Sequence, residues 1–295
     1  MKKIVVFGTG RIGTNRYYRL IENYDVEVLA YSDNNIEKWG GRCNRIPIIP
    51  PKEIINLDYD EVLIAIDNDL ESERVKKQLL NLGICKEKIS ILSTELSYMD
   101  AYMDQRFYWI KDFARWISER NIEGSVAECG VYRGDSAKFL NRFFPNKQLY
   151  LFDTFEGFAE SDVKYEMELG EESFINSEFA QNSYFGDTSV NMVLRKMTVP
   201  ENVHVIKGYF PESAIQIKES FCFVNLDMDL CVPMLNGLRF FWDKLENGGC
   251  ILCHDYFHNR LPGVKKAVEM FEKERKTDLV KMPIGDGCSL ALLKE

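Results

Sequence analysis

The stretch that most constrains the fold is residues 126–136, Val-Ala-Glu-Cys-Gly-Val-Tyr-Arg-Gly-Asp-Ser. An apolar run ends in Glu128, Gly130 and Gly134 follow, and an apolar helical pattern begins near Ala137. This reads as a strand, a glycine turn and a helix start. Glycine has no Cβ, so such a turn lets a ligand approach the backbone closely. A second apolar run, residues 149–152, ends in Asp153. An acid at that place can accept hydrogen bonds from ribose hydroxyls. Taken alone, the pair also fits an ordinary strand–turn–helix.

Composition narrows the class. At roughly 150 residues per domain, a chain of this length suggests two domains. It is 45% hydrophobic and 28% charged, which demands a real core and argues against disorder. The net charge of −9 disfavours nucleic acid and anionic membrane as partners, because both require a basic surface. The apolar run at the N-terminus is too short for a signal peptide, and no apolar stretch approaches the roughly 20 residues of a membrane span. No membrane insertion is expected. Eight scattered cysteines, mostly in apolar runs, point to a reduced, cytoplasmic protein. Cys250-Ile-Leu-Cys253 has C-x-x-C spacing but lies in a strand-like run. Positions i and i+3 of a strand face opposite sides, so core packing is the expected role.

The chain opens with a strand over residues 3–7, followed by Gly8-Thr-Gly10-Arg-Ile-Gly13. A helix to about Asn23 and a strand over 26–31 lead to Asp33. This is the dinucleotide fingerprint in its expected order. A rigid extended segment at 46–51, a strand at 61–66, a helix at 71–82 and a strand at 89–92 complete a small Rossmann-like α/β domain, residues 1–95. Gly8, Gly10, Gly13 and Asp33 are its candidate nucleotide-binding residues. The domain is short for a full dinucleotide fold. It resembles the small N-terminal domain of some sugar acetyltransferases, which holds a nucleotide sugar. A loop that keeps its shape without a ligand remains the equal alternative.

Residues 93–103 read as a linker, and the second domain spans 104–295. Its first helix carries Phe107, Ile110, Phe113, Ala114 and Ile117 at helical spacing, an aromatic stripe expected in the core. Strands then alternate with helices, and the chain ends in a hairpin around Gly285-Asp-Gly287, which defines a doubly wound α/β sheet. The acidic segment 159–185 has weak periodicity and reads as a lid. Asp187 and Ser189 are the N-cap candidates for the helix after it. Four strand ends carry Glu128, Asp153, Asp227 with Asp229, and His254 with Asp255. Ligands bind at that rim of an open α/β sheet. Like charges gathered there repel, and a cation would relieve them. Asp227, His254 and Asp255 offer oxygen and nitrogen donors suited to Mg²⁺ or Mn²⁺.

Six motifs then occur in order: Ala127-Glu-Cys-Gly-Val-Tyr-Arg-Gly134, Leu151-Phe-Asp-Thr-Phe-Glu-Gly-Phe158, Gly186-Asp-Thr-Ser189, Gly208-Tyr-Phe-Pro-Glu-Ser213, Leu226-Asp-Met-Asp-Leu230 and Gly248-Gly249 with His254-Asp-Tyr256. Together they resemble the macrocin O-methyltransferase (TylF-type) family over roughly residues 105–293. The resemblance implies a class I methyltransferase fold, a doubly wound Rossmann-like sheet with a C-terminal β-hairpin. It implies metal-dependent methyl transfer from S-adenosylmethionine to a hydroxyl of a sugar or glycoconjugate, as in polysaccharide or natural-product glycan biosynthesis. It places Glu128, Gly130 and Gly134 along the methionine part of the cofactor, with Cys129, Tyr132 and Ser136 in the same stretch. Asp153 would hold the ribose, and Thr154, Phe155, Gly208 and Tyr209 would lie near the adenosine. Asp227 and Asp255 would hold the metal. His254 stands where the family often has Asp, so it is either a ligand or a base. Asp227 and His254 are the candidate bases.

Two alternatives stay open at this level: a NAD(P)-dependent oxidoreductase using the N-terminal glycines, and a non-catalytic nucleotide-sugar-binding protein. The expected partner in the main reading is a small sugar or nucleotide sugar. A homo-oligomer is compatible with it.

Overall fold

The computed structural model describes residues 1–98, 101, 103–169, 185–186, 188–276 and 278–295. The chain divides into two compact units, Met1–Met103 and Asp104–Glu295.

The first unit runs β1 (Lys2–Phe7), α1 (Arg11–Asn15), α2 (Tyr17–Asn23), β2 (Val26–Ser32), β3 (Arg42–Cys43), β4 (Ile46–Ile49), β5 (Glu61–Ile64), α3 (Asp69–Asn81) and β6 (Ile89–Ile91). The sheet order is β3-β4-β2-β1-β5-β6, parallel except for the β3–β4 pair. Side chains alternate across a strand, so Ile4 and Val6 join one core with Leu20 and Tyr31. Val5 and Phe7 join the other with Val75 and Leu79. A strand covered on both faces reads as a continuous apolar run, as residues 3–7 do.

Three local expectations change. The helix expected to run to about Asn23 is two helices meeting at Arg16. The extended 46–51 segment supplies β4, a strand that Pro47 within it and Pro50-Pro51 after it hide from propensity. The expected linker is part of the unit: the Tyr98 hydroxyl donates to buried Glu61 at 2.7 Å, and Ala101 and Met103 are buried.

The second unit runs α4 (Gln105–Glu119), β7 (Ser125–Cys129), α5 (Ala137–Phe143), β8 (Leu149–Asp153), α6 (Glu160–Leu169), α7 (Val190–Leu194), β9 (Val203–Lys207), β10 (Phe221–Leu226), α8 (Cys231–Trp242), β11 (Leu245–Cys253), α9 (Pro262–Arg275), β12 (Val280–Pro283) and β13 (Leu290–Leu293). The seven strands are ordered β12-β13-β11-β10-β7-β8-β9. All are parallel except β13, which is antiparallel to β11 and β12. From β7 the chain winds outward through β8 to β9, then returns to β10 on the other side of β7. That reversal opens a crevice beyond the carboxyl ends of β7 and β10.

Helices α4 and α5 pack together, as do α6, α8 and α9. Phe113 of α4 and Phe144 lie against Phe223, while Phe241 of α8 lies against Phe221 and Phe152. The aromatic stripe of α4 is core, with Phe107 stacked on Phe139 at 4.1 Å.

The acidic segment begins as a helix, α6, rather than as a loop; residues 170–184 lie outside the described residues. Glu166 explains how α6 is held. It is fully buried, and its two oxygens accept the backbone amides of Cys231 at 2.9 Å and Gly263 at 3.0 Å. These amides open α8 and α9, so one carboxylate serves the unsatisfied donors and positive ends of two helices. Ser189 caps α7 by accepting from the Met192 amide at 3.2 Å. Asp187, the other cap candidate, lies outside the described residues.

Candidate active site

A cavity of about 350 Å³ opens at the ends of β7, β8, β10 and β11 and of the chain following β9. Its wall includes Gly130, Tyr132 and Ser136 of the glycine turn, Asp153 and Thr154 after β8, Gly208 and Tyr209 after β9, and Asp227, Asp229, His254 and Asp255. A cavity of this size accommodates a small-molecule ligand.

The glycine turn is held by two devices. Gly130 has φ +83°, and a Cβ there would meet the Asp227 carbonyl oxygen at 1.8 Å. No other residue fits between these strand ends. Asp153 supplies the second device. Its Oδ2 accepts the amides of Val131 and Tyr132, each at 2.7 Å, and its Oδ1 accepts that of Phe155 at 2.6 Å. The sequence offered Asp153 to a ribose; the fold also uses it to bind two loops together.

Glu128 departs from its expected place. It is fully buried and does not line the cavity. It lies opposite Asn225 in the β7–β10 register, and Asn225 Nδ2 donates to its Oε1 at 2.8 Å. Burial, reinforced by the charge of Asp227, pushes its carboxyl up to about 8. Its surroundings beneath the turn thus favour the neutral acid. Cys129, the last residue of β7, is likewise buried beside it, and Phe155 takes a left-handed conformation at φ 54° in the loop after β8. Gly134 packs on Val193 of α7, where a Cβ would come within 3.0 Å.

The acids at the next two strand ends form one cluster. β10 and β11 are adjacent and parallel, with Leu226 opposite Cys253, so Asp227 and His254 emerge side by side. His254 Nδ1 lies 2.9 Å from Asp227 Oδ1 and 2.8 Å from Asp255 Oδ2. The guanidinium of Arg106 donates to Asp227 Oδ2 at 3.0 Å. Cys288 Sγ donates to Asp255 Oδ1 at 3.2 Å.

The electrostatics follow from these contacts. Burial alone would raise Asp227, but His254 and Arg106 hold it well below the usual carboxylate range. Burial would lower His254, yet Asp227 and Asp255 raise it well above the ordinary imidazole value. Asp229 goes the other way: burial and the charges of Asp227 and Asp255 raise it well above 3.8. Without a cation, Asp227 and Asp255 thus lie against the imidazole of His254, and Asp227 also against the guanidinium of Arg106. The repulsion expected from the sequence is already balanced within the chain, because Arg106 of α4 reaches the cluster. Sequence reading missed Arg106, for nothing local marks it. Asn225 was legible in principle, as a lone amide inside the run Phe-Cys-Phe-Val-Asn-Leu.

The same donors fit a divalent cation. Carboxylate oxygens of Asp227, Asp229 and Asp255 lie within 4.8 Å of one another, and His254 adjoins them. Three oxygens and an imidazole nitrogen are a hard-to-borderline set.

In the first unit the fingerprint glycines serve packing. A Cβ on Gly13 would meet the Gly8 carbonyl at 2.0 Å, and one on Gly8 the Ala65 carbonyl at 2.8 Å, whereas Gly10 has open space. Asp33 is engaged by its own loop. Its Oδ2 accepts from the Thr9 amide at 3.0 Å, the Thr9 hydroxyl and Lys38 Nζ at 2.9 Å, and its Oδ1 from the Asn35 amide at 2.9 Å. Burial would raise Asp33, but these bonds outweigh it and bring the carboxyl down to about 2. The unfolded chain takes up this proton first as pH falls. The stability Asp33 supplies above pH 4 is therefore lost as pH drops toward 2. At most about 2 kcal/mol is involved. Acid titration of the unfolding free energy should show the loss in wild type and not in Asp33→Asn.

The seven-stranded order, the glycine turn and the acid-lined crevice define a class I S-adenosylmethionine-dependent methyltransferase fold. The macrocin-O-methyltransferase (TylF) family model matches residues 99–286; the chain belongs to this family and is an O-methyltransferase. A second model, described as C2185-like, N-terminal, matches residues 1–90. The O-methyltransferase NovP is similar in fold: TM-score 0.54 and 20% identity, over 66% of this chain and 81% of NovP. CalS11, a calicheamicin methyltransferase, gives TM-score 0.51 and 15% identity, over 77% of this chain and 87% of CalS11. No curated protein sequence matches the chain. No helix among the described residues is long and apolar enough to cross a membrane.

Proposed function

We propose that this enzyme transfers a methyl group from S-adenosylmethionine to a hydroxyl of a sugar or glycoconjugate, with a divalent cation held by Asp227, His254 and Asp255. The observation that carries this reading is that the acid–histidine cluster and the glycine turn line one cavity. Family membership supports the sugar acceptor. Eight free cysteines support a reduced, cytoplasmic setting.

S-adenosylmethionine, when bound, supplies an electrophilic sulfonium methyl; a divalent cation beside the acceptor would acidify its hydroxyl. The chain's own residues do the rest. The Gly130–Ser136 turn presents backbone to the cofactor, and Thr154, Gly208 and Tyr209 wall the other end. Tyr209 is itself fixed by donating to both oxygens of Asp162 of α6, at 2.9 and 2.8 Å. Asp227 and His254 remain the candidate bases of this reading, and the fold places Asp229 beside them in the cavity wall. In the cation-free cluster Arg106 and His254 lower Asp227, while Asp227 and Asp255 raise His254. Burial and the charges of Asp227 and Asp255 raise Asp229 above 3.8. One of these three groups takes the hydroxyl proton as the carbon–oxygen bond forms, and S-adenosylhomocysteine is left. The N-terminal glycine loop enters this reading as scaffold.

A screen of nucleotide sugars with labelled S-adenosylmethionine tests the proposal. Label should reach a sugar oxygen, stop with EDTA and return with Mg²⁺ or Mn²⁺. Undiminished transfer in EDTA would remove the cation from the reading. Failure of S-adenosylhomocysteine to raise the melting temperature would remove the cofactor assignment.

A further inference from the structure

Cys288 ends the hairpin turn between β12 and β13, and its backbone is fixed on both sides. Its amide donates to Asp286 Oδ1 at 2.9 Å, and its carbonyl accepts from the Phe257 amide at 3.0 Å. The next residue, Ser289, is fully buried and donates to the same Asp286 carboxylate through its amide at 2.8 Å and its hydroxyl at 2.6 Å. The turn thereby delivers a thiol to Asp255. One donor atom from each of His254, Asp255 and Cys288 lies within 4.8 Å of the others. A tetrahedral site with bonds of 2.0–2.3 Å has an edge of about 3.5 Å, which small side-chain rotations reach. Cys288 is absent from the cavity wall that His254 and Asp255 help to form. It approaches the cluster from outside that wall.

We propose that His254, Asp255 and Cys288 form a mixed nitrogen, oxygen and sulfur site for a borderline divalent cation such as Zn²⁺ or Co²⁺. This rests on the cation reading above and replaces its oxygen-rich donor set with a softer one. Mg²⁺ takes oxygen donors and gains nothing from sulfur, whereas imidazole and thiolate favour Zn²⁺ and Co²⁺. Three protein ligands, with the thiolate outside the cavity wall, leave a position open toward the cavity, as a catalytic site requires. Coordination requires the thiolate and a neutral imidazole, so the thiol proton leaves to solvent as the site loads. Asp227 and Asp229 stay free to face the acceptor.

The test is a Co²⁺ titration of the full chain, read by absorption, beside calorimetry with Co²⁺ and Mg²⁺. Wild type should show a sulfur-to-cobalt charge-transfer band in the near ultraviolet together with visible ligand-field bands. Cys288→Ser should lose the first, keep the second, and bind Co²⁺ about tenfold or more weakly, with Mg²⁺ binding unchanged. Alkylation of Cys288 in wild type should be slowed by Zn²⁺ and not by Mg²⁺, a readout that needs no variant. Ligand-field bands without a sulfur band, or equal alkylation with Zn²⁺ present, would overturn the proposal while leaving an oxygen-held cation intact. If neither metal binds, this inference and the cation itself fall together, and the methyltransferase assignment stands.

Discussion

Asp227→Asn is expected to lower kcat by about a thousandfold, within the 10²–10⁴ range of removing a group that acts at the reacting proton. The amide keeps the shape of the carboxylate and removes its charge. Two cations depend on that charge, His254 at 2.9 Å and Arg106 at 3.0 Å. With Asn, one of them faces an N–H donor instead of an acceptor. The imidazole loses its largest stabilising partner, and Asp229 loses the neighbour that helps to keep it basic. Binding of S-adenosylhomocysteine should change little, because the glycine turn and the β8 and β9 loops are untouched. Calorimetry with S-adenosylhomocysteine and single-turnover methyl transfer separate the two effects. Turnover within a few-fold of wild type would show that the cluster is not the reaction centre.

Gly130→Ala is expected to destabilise the second unit by at least about 4 kcal/mol, the range reserved for severe steric or burial defects. Gly285→Ala should cost only about 1 kcal/mol. Both glycines have φ +83°, so the left-handed strain is common to the pair. Only the surroundings differ. A Cβ on Gly130 would lie 1.8 Å from the Asp227 carbonyl oxygen, whereas one on Gly285 meets nothing within 4 Å. The carbonyl belongs to the end of β10 and cannot retreat without breaking the ladder that sets Asp227 and Asn225 in register. For a unit of this size each kcal/mol moves the melting temperature by roughly 2–4 °C, so the two variants should melt visibly apart. Equal melting temperatures would mean that β7 and β10 do not approach this closely in solution.

Much of the second unit was legible because a parallel strand buried on both faces reads as an apolar run, and its polar residues gather toward its end. Asp153, Asp227, His254 and Asp255 mark such ends, whereas Glu128 lies one residue inside its strand. That is a one-dimensional signal, and a rim of functional groups follows from it before any strand order is known. The first unit was legible for the same reason, apart from β4, whose Pro47 argues against a strand until β2 is seen beside it. The burial of polar residues was less legible. Glu166 stands in an acidic stretch, yet it is buried because the amides opening α8 and α9 converge on it.

Residue identity and apolar periodicity alone therefore determined the two α/β units and the side chains carried to the sheet rim. Only the tertiary structure decided the neighbours. β7 lies beside β10 and not merely after it in the alternation, so Asn225 meets Glu128 and the Asp227 carbonyl meets Gly130. Arg106 neutralises an acid 121 residues away, and Cys288 reaches one 33 residues back. Such pairings leave no periodic trace. They arise from packing complementarity between surfaces distant in the chain, and that packing set the charge balance of the site.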